Sequence, residues 1–157
     1  MKISVLVAAA ALFLSFFAAC SKDNDPVTPV QTPSQLLSST AWETTSARNA
    51  QGASVALTDD NVKNYVGFAY FKTNTQFTMY NLDNSPKMHG DWWLSLDGKS
   101  RFIIARDANG AQIFKREVPI TVLTNKEFTY RTYPDPGNTS VYIDIVHTPT
   151  THQEPTN

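Results

Sequence analysis

The feature that most constrains this chain is a series of short β-rich segments recurring at nearly even spacing between residues 42 and 147, each separated from the next by turn-forming residues. They read WETTSA at 42–47, GFAYF at 67–71, QFTMY at 76–80, MHGDWWLS at 88–95, RFIIAR at 101–106, QIFKREVPITVL at 112–123, EFTYRTY at 127–133 and VYIDIVH at 141–147. Thr73-Asn74-Thr75, Asp97-Gly98, Asp107-Ala108-Asn109-Gly110 and Pro134-Asp135-Pro136-Gly137 punctuate them with residues that favour turns over strands. Strands joined by tight turns pair antiparallel. The expected fold is therefore all-β: an eight-stranded antiparallel meander closing into an up-and-down barrel, which leaves no raw sheet edge. A two-sheet sandwich is the competing architecture. One short helix is expected near residues 59–65, where Thr58 and Asp59 precede room for one or two turns.

Alternation assigns faces. On the last segment Val141, Ile143 and Ile145 point one way and Tyr142, Asp144 and Val146 the other, while Phe128 and Tyr130 oppose Thr129 and Arg131. The stretch from 42 to 142 also holds all three Trp, all six Tyr and six of the nine Phe. Each ring offers about 150 to 250 Å² to bury, more than a barrel of this length packs inside. Some rings must line a cavity, cover an end or face a partner, and Tyr70, Tyr80, Trp92, Trp93 and Tyr130 are the candidates for ligand contact.

The N-terminus carries an address. Met1-Lys2 precedes a run of apolar and small residues through Ala19, which reads as a signal peptide. Phe17-Ala18-Ala19-Cys20 resembles a bacterial lipobox, with Phe17 where Leu is usual. That resemblance implies lipidation at Cys20, which becomes the mature N-terminus and consumes the chain's one thiol. Two or three acyl chains anchor durably, at about 0.8 kcal/mol per buried methylene. Ser21-Lys22-Asp23-Asn24-Asp25 resembles the Lys-then-acidic signal that sends many Bacteroidota lipoproteins to the outer face of the outer membrane, so an extracytoplasmic, surface-exposed location is expected. Pro26, Pro29 and Pro33 favour an extended tether. The expected divisions are 1–19 signal peptide, 20–36 lipidated Cys and Pro-rich tether, 37–148 barrel and 149–157 C-terminal tail.

The 13 Lys plus Arg against 14 Asp plus Glu, with no basic run interleaved with aromatics, make nucleic acid an unexpected partner. A single cysteine excludes an internal disulfide framework and a multi-cysteine metal site. Nucleophilic catalysis lacks parts: there is no Gly-x-Ser-x-Gly elbow and no Gly-x-Gly phosphate loop, and the histidines are only His89, His147 and His152. The most chemical-looking cluster is Asp144, His147, His152 and Glu154, in which the stiff Thr148-Pro149-Thr150-Thr151 turn brings two imidazoles together as metal ligands for zinc or another divalent ion. A solvated tail whose histidines touch nothing is the simpler expectation. His89 and Asp91 share one strand face with Trp93 and read as polar barrel exterior.

Two family resemblances follow from these segments. The run YVGFAYFKTNTQFTMYNLDNSPKMHGDW at 65–92, FTYRTYP at 128–134 and DIVHTPTTHQEP at 144–155 resemble, in order, the bacterial domain-of-unknown-function family 4822, found in secreted and lipid-anchored proteins. Thr40-Ala41-Trp42 resembles the Gly-x-Trp that opens the first strand of lipocalin-like (calycin) barrels, with Thr40 in place of Gly. That second likeness implies that Trp42 lies on the barrel floor and that Arg131 closes it by packing across the indole, as a structural cation–π pair.

The functional expectation is a cell-surface or outer-membrane lipoprotein whose lipocalin-like barrel binds a small apolar or aromatic molecule or a glycan, without catalysis and without a cofactor. A structural or interaction protein, its rings filling the core and its surface docking a partner protein, is the first alternative. A metal-dependent hydrolase is the second.

Overall fold

The computed structural model describes residues 30–156. The expected signal peptide, Cys20 and most of the expected tether lie outside the described residues. Among those described, no helix is long and apolar enough to cross a membrane.

The chain opens with a one-turn helix, α1 (Pro33–Leu37), and continues through β1 (Ala41–Asn49), β2 (Ser54–Val55), a 3-10 turn at Lys63–Tyr65, β3 (Phe68–Phe71), β4 (Gln76–Tyr80), β5 (Pro86–Leu94), β6 (Ser100–Arg106), β7 (Gln112–Leu123), β8 (Phe128–Thr132) and β9 (Ile143–Thr150). All pairings are antiparallel, and β1 also pairs with β9, so β1 and β3 to β9 close into the eight-stranded barrel that the turn spacing predicts. The short β2 continues the edge that β3 leaves: β3 pairs with residues 41–43 of β1, and β2 with residues 47 and 48. The helical signal near 59–65 becomes the 3-10 turn, held by the Asp59 carbonyl accepting from the Val62 and Lys63 amides.

A meander alternates its turns between two ends. The end that holds the β3–β4, β5–β6 and β7–β8 turns is sealed by α1, which lies against β5 and β7. Thr32 and Gln35 form a reciprocal capping box, and Pro33 at the first helical position needs no amide partner. The helix turns Leu37 fully inside, where its carbonyl accepts a hydrogen bond from Trp42 Nε1 at 2.8 Å. Gly98 (φ +70°) lets the β5–β6 turn meet this plug, since a Cβ there would lie 2.7 Å from Pro33 Cγ. Thus 33–36, expected in the tether, belong with Leu37 to the fold, because that apolar Leu completes the barrel floor.

Above that floor the interior is aromatic. Trp42 meets Phe128 edge-on at 5.8 Å, and Phe71 meets Trp92 at 5.3 Å and Phe128 at 6.0 Å. Ile143 and Ile145 of β9 point inward with Phe128 and Tyr130 of β8, as alternation predicts, but Val141 precedes the strand and is half exposed.

The C-terminal residues are not a free tail. Strand β9 runs to Thr150, and the segment beyond it folds back over the outer face of β3 and β4. His152 stacks on Phe68 at 3.8 Å and shares a hydrogen bond with the Tyr70 hydroxyl. Glu154 accepts from Lys72 Nζ at 2.9 Å and from the Thr78 hydroxyl, and the Tyr80 hydroxyl donates to the Pro155 carbonyl at 3.3 Å. Phe68, Tyr70 and Tyr80 form a small cluster of their own under this strap.

Candidate binding site at the open end of the barrel

The five aromatics singled out as ligand contacts do not converge. Tyr70 and Tyr80 lie outside the barrel beneath the C-terminal strap, although Tyr80 also reaches the edge of the groove described below, and Trp93 lies outside against Phe102, stacked at 5.3 Å under Lys115. Trp92 is inside near the sealed end, with Nε1 donating to the Lys72 carbonyl at 3.0 Å. Tyr130 is inside at mid-height. Period two explains the scatter, since neighbouring rings on one strand, such as Trp92 and Trp93, project to opposite faces.

Arg131 does not cover Trp42. It is on the outer face of β8, where Nε and Nη2 donate to the two Asp144 oxygens at 2.8 and 3.0 Å and the guanidinium lies 3.4 Å from the Tyr142 ring centre. Asp144 raises the Arg131 pKa chiefly through these hydrogen bonds. The cation that enters the aromatic interior is Arg101 of β6, 4.5 Å from the Tyr130 ring centre and 5.6 Å from those of Phe71 and Phe128. Arg101 faces inward because it alternates with outward Phe102 and pairs with inward Val118.

The proposed metal pair is also separated. His147 points into the barrel, 4% exposed, against Tyr130 and Phe128, while His152 is outside on Phe68. Among the described residues no three His, Cys, Asp or Glu side chains gather to hold a metal. Burial first, and then the Arg101 charge, push the His147 pKa down to about 3, so its imidazole is neutral at physiological pH.

One space that a ligand can use lies at the end opposite α1. A groove of about 410 Å³ is walled by Met79, Met88, Ala105, Ile113 and Phe114 and edged by Lys87, His89 and Arg106. Two β-bulges build it. Between Met79↔Met88 and Tyr80↔Pro86 strand β5 carries one extra residue, Lys87, and between Ala105↔Phe114 and Arg106↔Gln112 strand β7 carries one extra, Ile113. Bulges at a barrel rim re-aim side chains. They give the groove one ammonium and one apolar wall that simple alternation would have placed elsewhere. Gly90 (φ +154°) sits beside Ala105, where a Cβ would approach the Ile104 carbonyl oxygen to 1.9 Å.

Beneath the groove, and sharing Met79, Lys87 and Met88 with it, is a narrow void of about 20 Å³ that touches Tyr65, Arg101, Arg116, Tyr130 and His147. Lys87 reaches inward to donate to the Val66 carbonyl at 2.6 Å, and Arg116 lies over Phe114 and Tyr65 at 4.9 and 5.4 Å. No ring or charge pattern in the sequence marks this spot; only the register of strands β4 to β9 and the 3-10 turn bring it together.

The sequence profile of a family described as "Domain of unknown function (DUF4822)" matches residues 34–157. The chain belongs to that family. The match begins within α1 and takes in the strap, in agreement with both segments being part of the DUF4822 fold. No functionally curated protein matches the sequence. Among solved structures, the chain is similar to a lipocalin-like protein from Bacteroides uniformis, at 17% identity and a TM-score of 0.46 over 71% of this chain and 96% of that one. It is also similar to a biogenic amine-binding protein, at 13% identity and a TM-score of 0.41 over 72% of this chain and 64% of that one.

Proposed function

We propose that this DUF4822 barrel is a non-enzymatic binding module that holds a small, largely apolar molecule in the groove at its open end, while acyl chains on Cys20 keep it at the outer face of the outer membrane. The observation that carries the reading is the groove itself. Its volume of about 410 Å³ falls within the roughly 300 to 1,000 Å³ of small-molecule sites, and its walls combine apolar side chains with a few polar groups at one edge. The mid-barrel rings pack against one another and leave room for little more than a water, so the ligand belongs at the rim and not deep inside. The lipid anchor is supported by the Phe17-Ala18-Ala19-Cys20 sequence and by the solitary thiol.

Native mass spectrometry of the protein purified from its own host tests the binding reading. A retained organic mass that leaves on denaturation, and that is lost when Ala105→Trp fills the groove, is the expected result; a bare chain mass in both proteins contradicts it. For the anchor, Cys20→Ser is expected to release the protein from membranes. Continued sedimentation of that variant with the membrane fraction contradicts lipidation at this residue.

The interaction-protein reading keeps one supporting observation. Trp93, Phe102 and Lys115 form a stack on the outer wall, away from the groove, with Trp93 36% exposed.

A further inference from the structure

Three cationic side chains converge on the void beneath the groove with no carboxylate among its lining residues. Arg101 is 2% exposed, and its Nε has no hydrogen-bond partner. Among the described residues, the ion pairs are Lys63 with Asp60, Lys72 with Glu154, Arg106 with Asp91 and Arg131 with Asp144, so Arg101, Arg116 and Lys87 take part in none. His147, which lines the same void, also has an unpartnered Nδ1.

Buried charges in proteins are ordinarily paired, because desolvation costs far more than an isolated ion recovers. The faces of Tyr130, Phe128 and Phe71 offset part of that cost for Arg101, but a ring quadrupole does not cancel a full charge. Nor is there an internal counter-ion. Burial raises the Tyr130 pKa, which keeps its hydroxyl protonated, and His147 is neutral. The cations also repel one another: burial lowers the pKa of both Lys87 and Arg101, and the Arg116 charge lowers each further. The interior is short of one negative charge, and the three cationic residues line one space.

We propose that this space is an anion centre, in which Arg101, Arg116 and Lys87 hold a small monovalent anion, either a free halide or the carboxylate head of the molecule lying in the groove. The second source rests on the groove reading; the first does not. Size sets the class. A space of about 20 Å³ takes roughly one water or ion, which suits a halide or the exposed oxygens of a carboxylate. Continuity sets the connection, because Lys87, Met79 and Met88 line both spaces and Arg116 lies on Phe114 of the groove wall. An ammonium ligand has the wrong sign for this interior.

Calorimetric titration of the purified protein with sodium bromide, sodium acetate, sodium hexanoate and hexan-1-ol separates the possibilities, with ionic strength held by gluconate, which is too large for the void. Hexanoate is expected to bind at least about tenfold more tightly than hexan-1-ol, the advantage of charge-assisted hydrogen bonds over neutral ones. Bromide is expected to saturate, with its anomalous scattering peak beside the Arg101 guanidinium. Arg116→Gln is expected to erase the preference for hexanoate over hexan-1-ol. Arg101→Met, which removes the buried charge at similar volume, is expected to fold and to melt higher than wild type in gluconate, yet to bind no bromide. Equal affinity for hexanoate and hexan-1-ol with no saturable bromide binding, or bromide binding unchanged in both variants, overturns the anion centre and leaves the groove reading standing. Saturable bromide and acetate with hexanoate no tighter than acetate upholds the anion centre and removes the groove reading. No saturable binding of any probe overturns both.

Discussion

A neutral imidazole at mid-barrel ties stability to pH. His147 has a folded pKa of about 3 against an ordinary value near 6.5, so between those pH values the unfolded chain takes up a proton that the folded chain refuses. Its contribution is complete above pH 6.5 and is lost as pH falls, at up to about 1.4 kcal/mol per pH unit. Arg101 and Lys87 add to the penalty for charging it. His147→Gln is expected to remove that slope from the denaturation free energy measured between pH 6.5 and 4; identical pH dependence in the two proteins contradicts a buried neutral imidazole. Trp42 and Arg131 give the opposite contrast to the one their lipocalin-like resemblance implies. Trp42→Ala is expected to cost about 3 to 5 kcal/mol, since it empties a fully buried site and orphans the Leu37 carbonyl. Arg131→Ala breaks an ion pair on the outer wall and is expected to cost within about 1 kcal/mol by urea denaturation. A large loss for Arg131→Ala with little for Trp42→Ala reverses the assignment of floor and wall.

The elements that turn chemistry and alternation control were legible in the sequence. Asp97-Gly98 and Asp107-Ala108-Asn109-Gly110 do end strands, and Phe128, Tyr130, Ile143 and Ile145 do face the core. What local pattern does not carry was missed. Pro33–Leu37 looks like tether because a single buried Leu gives no periodicity, and 151–156 looks like a frayed end because its polar residues find partners only across the sheet. The strap is testable as an element. Ending the chain after Thr150 exposes Phe68, Tyr70 and Tyr80 and is expected to cost about 2 kcal/mol, with new binding of anilinonaphthalene sulfonate. Unchanged stability and dye binding would mean that the strap covers nothing of consequence.

At the scale of the whole molecule, one end of the barrel is sealed by α1 and Trp42 and the other is left open by two bulges, with uncompensated positive charge just inside the opening. The candidate site was the least legible part of the sequence. Lys87, Arg101 and Arg116 come from three different strands, and Lys87 and Ile113 face the groove only because each is the extra residue of a bulge. No spacing along the chain announces either fact. Apart from Met1, the chain's methionines are Met79 and Met88, and both line the groove, so their methyl groups report on it directly. In a 13C-methyl-methionine NMR titration with hexanoate, both resonances are expected to move together along one saturable curve. If both stay still while hexanoate shifts signals elsewhere in the protein, the open end of this barrel is not where it binds.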